Sequence, residues 1–136
     1  MDDFLVKLNE EISTKLFKNV VLIDEHSGQK VVRLRDKQPI KMPNYSTDID
    51  MAYNIIKKIR SKDYEVLIGF NIENNQRTWF ITITKNRKTI IEKLTDESLP
   101  KLICLVALKL LEVEKEFDAI PQASENVLAI DFSKKT

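Results

Sequence analysis

A chain that does chemistry must gather groups able to ligate, attack or move protons, and here such groups are sparse. His26 is the single histidine and Cys104 the single cysteine. His26 stands two residues before Gly28 in a stretch read as a turn, and Cys104 lies inside an apolar helical pattern. A metal cage or a His–Cys dyad recruits several partners, which these two residues lack. Reactive thiols need an accessible, electropositive setting, so Cys104 is read as a small core residue. Asp48 and Asp50 come nearest to paired carboxylates, but two positions apart on a helix they do not face each other, and capping gives both another use. Glu65, Glu92 and Asp131 are isolated. With Gly28 and Gly69 as the two glycines, there is no phosphate-cradling loop and no dinucleotide fingerprint. The expectation is a protein that is not an enzyme, with no catalytic, metal-binding or cofactor-binding residue.

Positive charge is the other chemistry on offer. Lys57, Lys58, Arg60 and Lys62 cluster at one helix end, and Lys85, Arg87 and Lys88 in one turn. These seven are the candidate contact residues, for a protein partner or, as the alternative, for nucleic acid. A helix, three antiparallel strands and a second helix is also the order of double-stranded-RNA-binding domains, which read shape and phosphates. The second helix here, "SLPKLICLVALKLL", lacks the lysine cluster such domains aim at phosphates. Twenty-two Lys plus Arg against 21 Asp plus Glu leave a formal charge of +1, so no large net field draws the chain to nucleic acid or membrane.

The elements that would position these groups follow from periodicity. Phe4, Leu5, Leu8, Ile12 and Leu16 line one side of a helix over 3–18. "NVVLID" and "KVVRLR" flank "EHSGQ" as a hairpin. Pro39 and Pro43 mark a connecting loop over 36–45. Thr47 is read as the cap of the next helix, with Asp50 reaching back as in a capping box. In that helix Ile49, Ala52, Tyr53, Ile56 and Ile59 fall on the packed side. "YEVLIGFNI", "TWFITIT" and "KTIIEKL" read as a three-stranded meander, with Tyr64, Val66, Ile68, Phe70 and Ile72 on one face and Trp79 in the second strand. A helix over 99–114, capped by Ser98, is apolar on most of its circumference and therefore buried or covered by a partner. Residues 115–136 read as a C-terminal arm with a short strand at 126–132. The fold class is α+β, an antiparallel sheet with packed helices in the order α-ββ-α-βββ-α, as one domain over 1–114 plus the arm.

The stretch Pro43-Asn44-Tyr45-Ser46-Thr47-Asp48-Ile49, the later Trp79, and "LPKLICLVALKLL" with Pro100, Ile103, Cys104, Val106, Ala107 and Leu108 resemble the phage ABA sandwich domain family. Its members share P-x-Y-S-T-D-I, a helix, an aromatic-bearing strand and a closing P-x-x-I-C-x-A-A-L helix; Val106 stands here for the first Ala of the pair. "LNEEISTKLF", residues 8–17, is similar to the family's leading helix. The resemblance implies a small protein of phages or prophages of Gram-positive bacteria and supplies no catalytic residues. Tyr45, Thr47, Asp50, Trp79 and Cys104 are accordingly expected to be structural. The functional expectation is a non-enzymatic accessory protein that binds a protein partner, such as a host defence or regulatory factor. It is expected in the cytoplasm of the infected or prophage-carrying cell, without membrane contact, and as a homodimer through its surplus apolar surface. Sequestration of a small ligand would require an apolar pocket with a few convergent polar groups.

Overall fold

Leu8, Ile12 and Leu16, spaced by four, all turn into the core of the computed structural model, which describes residues 2–33 and 38–118. They belong to α1 (Asp3–Glu11) and the turn that continues it. Asp2 caps α1, its carboxylate accepting from the Phe4 amide at 2.8 Å. The expected 3–18 helix stops at Leu16 and changes type on the way. Over Ile12–Leu16 it widens to a π-helical turn, with the Phe17 amide reaching the Ile12 carbonyl at 3.2 Å. Thr14 competes for the local carbonyls, its hydroxyl donating to Glu10 at 2.9 Å. The wider turn faces Ile12, Ser13 and Leu16 inward together, and Lys18, with φ 59°, ends it. Phe4 falls on the expected stripe yet stays 49% exposed.

The hairpin is present as β1 (Val20–Ile23) and β2 (Lys30–Arg33), paired from Val20↔Arg33 to Ile23↔Lys30. Asp24 orders its turn, accepting from the His26 amide and the Ser27 hydroxyl, while Gly28 takes a positive φ of 73°. His26 is exposed there. The loop expected at 36–45 holds a third strand, β3 (Ile40–Lys41), paired with Val31 and Val32. Pro39 and Pro43 lack amide donors and confine it to two residues.

Asp48, not Thr47, caps α2 (Ile49–Arg60). The Asp48 carboxylate accepts from the amides of Asp50 (2.9 Å) and Met51 (3.4 Å). Thr47 lies one residue too early and is exposed, and Asp50 serves the first turn through its charge rather than by reaching back. The buried stripe is also rotated from the expected one. Ala52, Ile55, Ile56 and Ile59 are buried, while Ile49 (46%) and Tyr53 (53%) are exposed. Ile55 takes the inward place that had been given to Tyr53, whose ring instead carries the Lys57 ammonium at 5.3 Å.

The meander comprises β4 (Glu65–Glu73), β5 (Gln76–Lys85) and β6 (Lys88–Asp96). Its turns, Asn74–Asn75 and Asn86–Arg87, have positive φ at both residues, the backbone that matches the twist of antiparallel strands. The six strands thus form two three-stranded antiparallel sheets, β1-β2-β3 and β4-β5-β6. Helix α3 (Leu99–Asp118) starts on Ser98, whose hydroxyl accepts from the Lys101 amide at 3.4 Å. It runs past the expected end at 114, so the first four residues assigned to the arm are helical. The expected strand at 126–132 lies outside the described residues. α3 touches α1, the π turn, α2, β5 and β6, and it contributes Leu102, Ile103, Cys104, Val106, Ala107 and Leu110 to a core completed by Ile55, Ile59, Ile81, Ile83 and Ile91.

Candidate functional site

The motif residues are positioned by hydrogen bonds to α1. Asn9 is buried on the same helix side as Leu5 and Ile12, and its side chain meets the loop that precedes α2. Its carbonyl accepts from the Ser46 amide at 2.8 Å, and its amide donates to Asn44 Oδ1 at 3.2 Å. Ser46, 1% exposed, donates its hydroxyl to the Leu5 carbonyl at 3.1 Å. Tyr45 stacks on Phe17 with ring centroids 5.4 Å apart, and burial raises its hydroxyl pKa. Two residues on, Asp48 caps α2. The stretch is therefore a clamp that fixes α2 against α1, held through Asn44, Ser46 and Asp48. Asn9 escaped the sequence reading, and Ser46 was seen only as part of the motif, without its role; a polar residue standing within an apolar helical stripe is the signal that could have found Asn9. Cys104 is fully buried, which pushes its thiol up to about 12.

The two basic segments meet at one place. Register pairs Glu65 with Thr84, which sets the Lys85–Lys88 end of the meander beside the α2–β4 junction. There Tyr64 donates its hydroxyl to Glu114 at 2.8 Å, Lys62 ion-pairs with the same carboxylate at 3.3 Å, and the Lys85 ammonium lies 4.5 Å from the Tyr64 ring centre. Burial, then the hydrogen bond to Glu114, push the Tyr64 hydroxyl up to about 12. Arg60, Arg87 and Lys88 are exposed, and Lys58 borders an open groove of about 1130 Å³ floored by Leu105, Leu108 and Leu111 of α3. Among the described residues no cluster of His, Cys, Asp and Glu could hold a metal ion, and no helix is long and apolar enough to cross a membrane.

The meander projects beyond the helices that cover it. Along one face of β4, exposure runs from half-buried Val66 to Ile68 (38%), Phe70 (46%) and Ile72 (63%). Trp79 sits opposite Phe70, their rings in edge contact at 5.3 Å, and the Arg77 guanidinium lies over both, 4.6 Å from the Phe70 centre. On the other face Leu67 is 60% exposed, and Phe80 lies across Gly69, where a Cβ would collide with the ring. The packed face read from the sequence is thus buried at one end only. α2 and α3 cover Tyr64, Ile81 and Ile83, and the strands outrun the helices.

No curated protein and no solved structure matches the chain. The sequence profile of the Phage ABA sandwich domain matches residues 14–108, well over half of the 136. That span holds the clamp loop, α2, both sheets and the Cys104 stretch of α3, and on that match the chain belongs to the Phage ABA sandwich domain family.

Proposed function

We propose that this chain is a non-enzymatic phage or prophage accessory protein that acts by binding a protein partner, and that the partner docks on the uncovered end of the meander. The observation that carries this is the contiguous patch of Ile68, Phe70 and Ile72 beside Trp79. Single exposed hydrophobic residues are ordinary; adjoining ones on a rigid sheet mark interaction sites. An aromatic pair with an arginine across it is the composition found at interface anchors. The partner in this reading is a host defence or regulatory factor in the cytoplasm of a Gram-positive cell, and no metal or cofactor takes part. Affinity capture from phage-infected lysate with the wild-type chain and a Phe70→Asp/Ile72→Asp variant tests it. A stoichiometric protein held by the first, lost by the second and resistant to nuclease is expected; the same protein held equally by both refutes it.

Convergence of Lys62 and Lys85 at Tyr64 favours nucleic-acid binding as a second reading. Against it, Lys62 is already paired with Glu114. Captured nucleic acid whose binding weakens steeply with salt, and which Arg87→Glu/Lys88→Glu releases, would favour it over the first.

A further inference from the structure

We propose that β4 accepts an additional antiparallel strand from the partner protein, one that alternates apolar and small polar residues and carries a basic residue at each end. This rests on the docking reading above and names what the patch would recognise.

Among the described residues β4 pairs with β5 alone, so its other side is a free edge. The two-residue turn at Asn74–Asn75 makes Glu73↔Gln76 a hydrogen-bonded pair. By the alternation of antiparallel ladders, Ile72, Phe70, Ile68 and Val66 then turn their N–H and C=O groups outward. The residues offering open backbone groups are therefore the same ones whose side chains form the apolar patch. An incoming strand gains both at once, which is the logic of strand addition. Between its two terminal glutamates the strand carries none of the usual protections. β4 is nine residues long, has no proline, lysine or arginine, and pairs with β5 without a register shift.

Its charges are Glu65 and Glu73, one at each end and both exposed. They decide between occupants. A second copy paired about Gly69 would match Val66 with Ile72 and Ile68 with Phe70, but would set Glu65 against Glu73 twice, and like charges directly opposite are destabilising. Sliding the copies by two residues puts either Val66 against Asn74 or Glu73 against Asp63. The chain's own "ENVLAIDF", residues 125–132, brings Glu125 and Asp131, again acidic. A strand with basic ends meets both glutamates favourably.

The test uses the full chain and two nine-residue peptides, KVTVTVTVK and EVTVTVTVE, which differ only at their ends. Binding is read from Trp79 fluorescence and from hydrogen exchange at residues 66, 68, 70 and 72. The lysine peptide should bind about tenfold more tightly than the glutamate peptide at low salt, slow exchange at those four amides, and lose its advantage with a Glu65→Lys/Glu73→Lys variant of unchanged melting temperature. Equal binding of the two peptides, or binding of neither, overturns the inference; sedimentation then tells a second copy on the edge (doubled mass) from a monomer. If the strand inference fails while Phe70→Asp/Ile72→Asp still abolishes capture of the partner, the docking reading survives without strand pairing. If capture is also unaffected, both fail.

Discussion

Replacing Asn9 with Ala should be among the most damaging single polar substitutions in this protein. Its carbonyl is the acceptor for the buried Ser46 amide at 2.8 Å, and a buried donor left unpaired costs about 1–3 kcal/mol. The bond to Asn44, at 3.2 Å and only partly buried, adds about 0.5–1.5 kcal/mol. A loss of about 2–4 kcal/mol follows. For a chain of 136 residues, the unfolding entropy near the midpoint is about 0.3 kcal/mol/K, so the melting temperature should fall by about 7–13 °C. Urea titration at constant m-value, with thermal melts beside it, measures this. Asn9→Asp is the informative companion. It keeps the acceptor for Ser46, and Asn44 can rotate its amide to donate, so it should lose less than half as much. Glu10→Ala, which removes an exposed ion pair with Lys30, should stay within about 0.5 kcal/mol. If Asn9→Ala matches Glu10→Ala, or Asn9→Asp is as damaging as Asn9→Ala, the clamp does not hold the loop as argued.

Asp48→Ala should cost about 0.5–2 kcal/mol through the lost cap of α2, while Thr47→Ala should fall within about 0.5 kcal/mol; denaturant titration that ranks them the other way would return the cap to Thr47. Cys104 should resist an aromatic disulfide reagent in the folded protein at pH 8 and react only as fast as the chain unfolds, because the thiol is buried and its pKa is pushed up to about 12; fast, stoichiometric labelling would refute its burial. Tyr64 is held protonated in the fold up to about pH 12, whereas in the unfolded chain it ionises near pH 10. Its contribution is complete below pH 10 and is lost as pH rises from about 10 to about 12, so Tyr64→Phe should flatten the fall of stability over that window; identical slopes would refute it. Leu102→Ala, at a fully buried α3 position, should cost about 2–5 kcal/mol by calorimetry, and a loss under 1 kcal/mol would contradict the central place given to α3.

Local chemistry carried most of the fold. β-branched alternation and two-residue Asn turns make a meander with little help from elsewhere, and the dense apolar run at 102–111 had to be interior. The errors fall where a neighbouring choice depends on distant parts. Thr47 and Asp48 are both good caps by type, and the clamp decides between them by fixing Ser46 and with it the phase of the loop. Tyr53 and Ile55 compete for the inner face of α2, and the outcome depends on where α3 lies. The π turn has no sequence period of its own. For the candidate surface, alternation identified the face of β4 but not how far α2 and α3 extend along it, since coverage depends on the relative lengths and placement of packed elements. Glu114, the partner of Tyr64 and Lys62, was likewise invisible, because it meets them across fifty and fifty-two positions of chain.

The placement of α3 also bears on how the protein comes into being. Every other described element precedes α3 in chain order, and α1, the π turn, α2, β5 and β6 all rest on it. While the ribosome is still translating residues 1–98, the inner faces of these elements lack the helix that completes their core, so this nascent stretch is open to chaperones and proteases. At about 5–20 residues per second, the interval between emergence of α2 and of α3 lasts seconds, far longer than a helix or hairpin takes to form. Synthesis, not search, then sets the moment of folding, and a chain interrupted before Leu102 has no route to the native core.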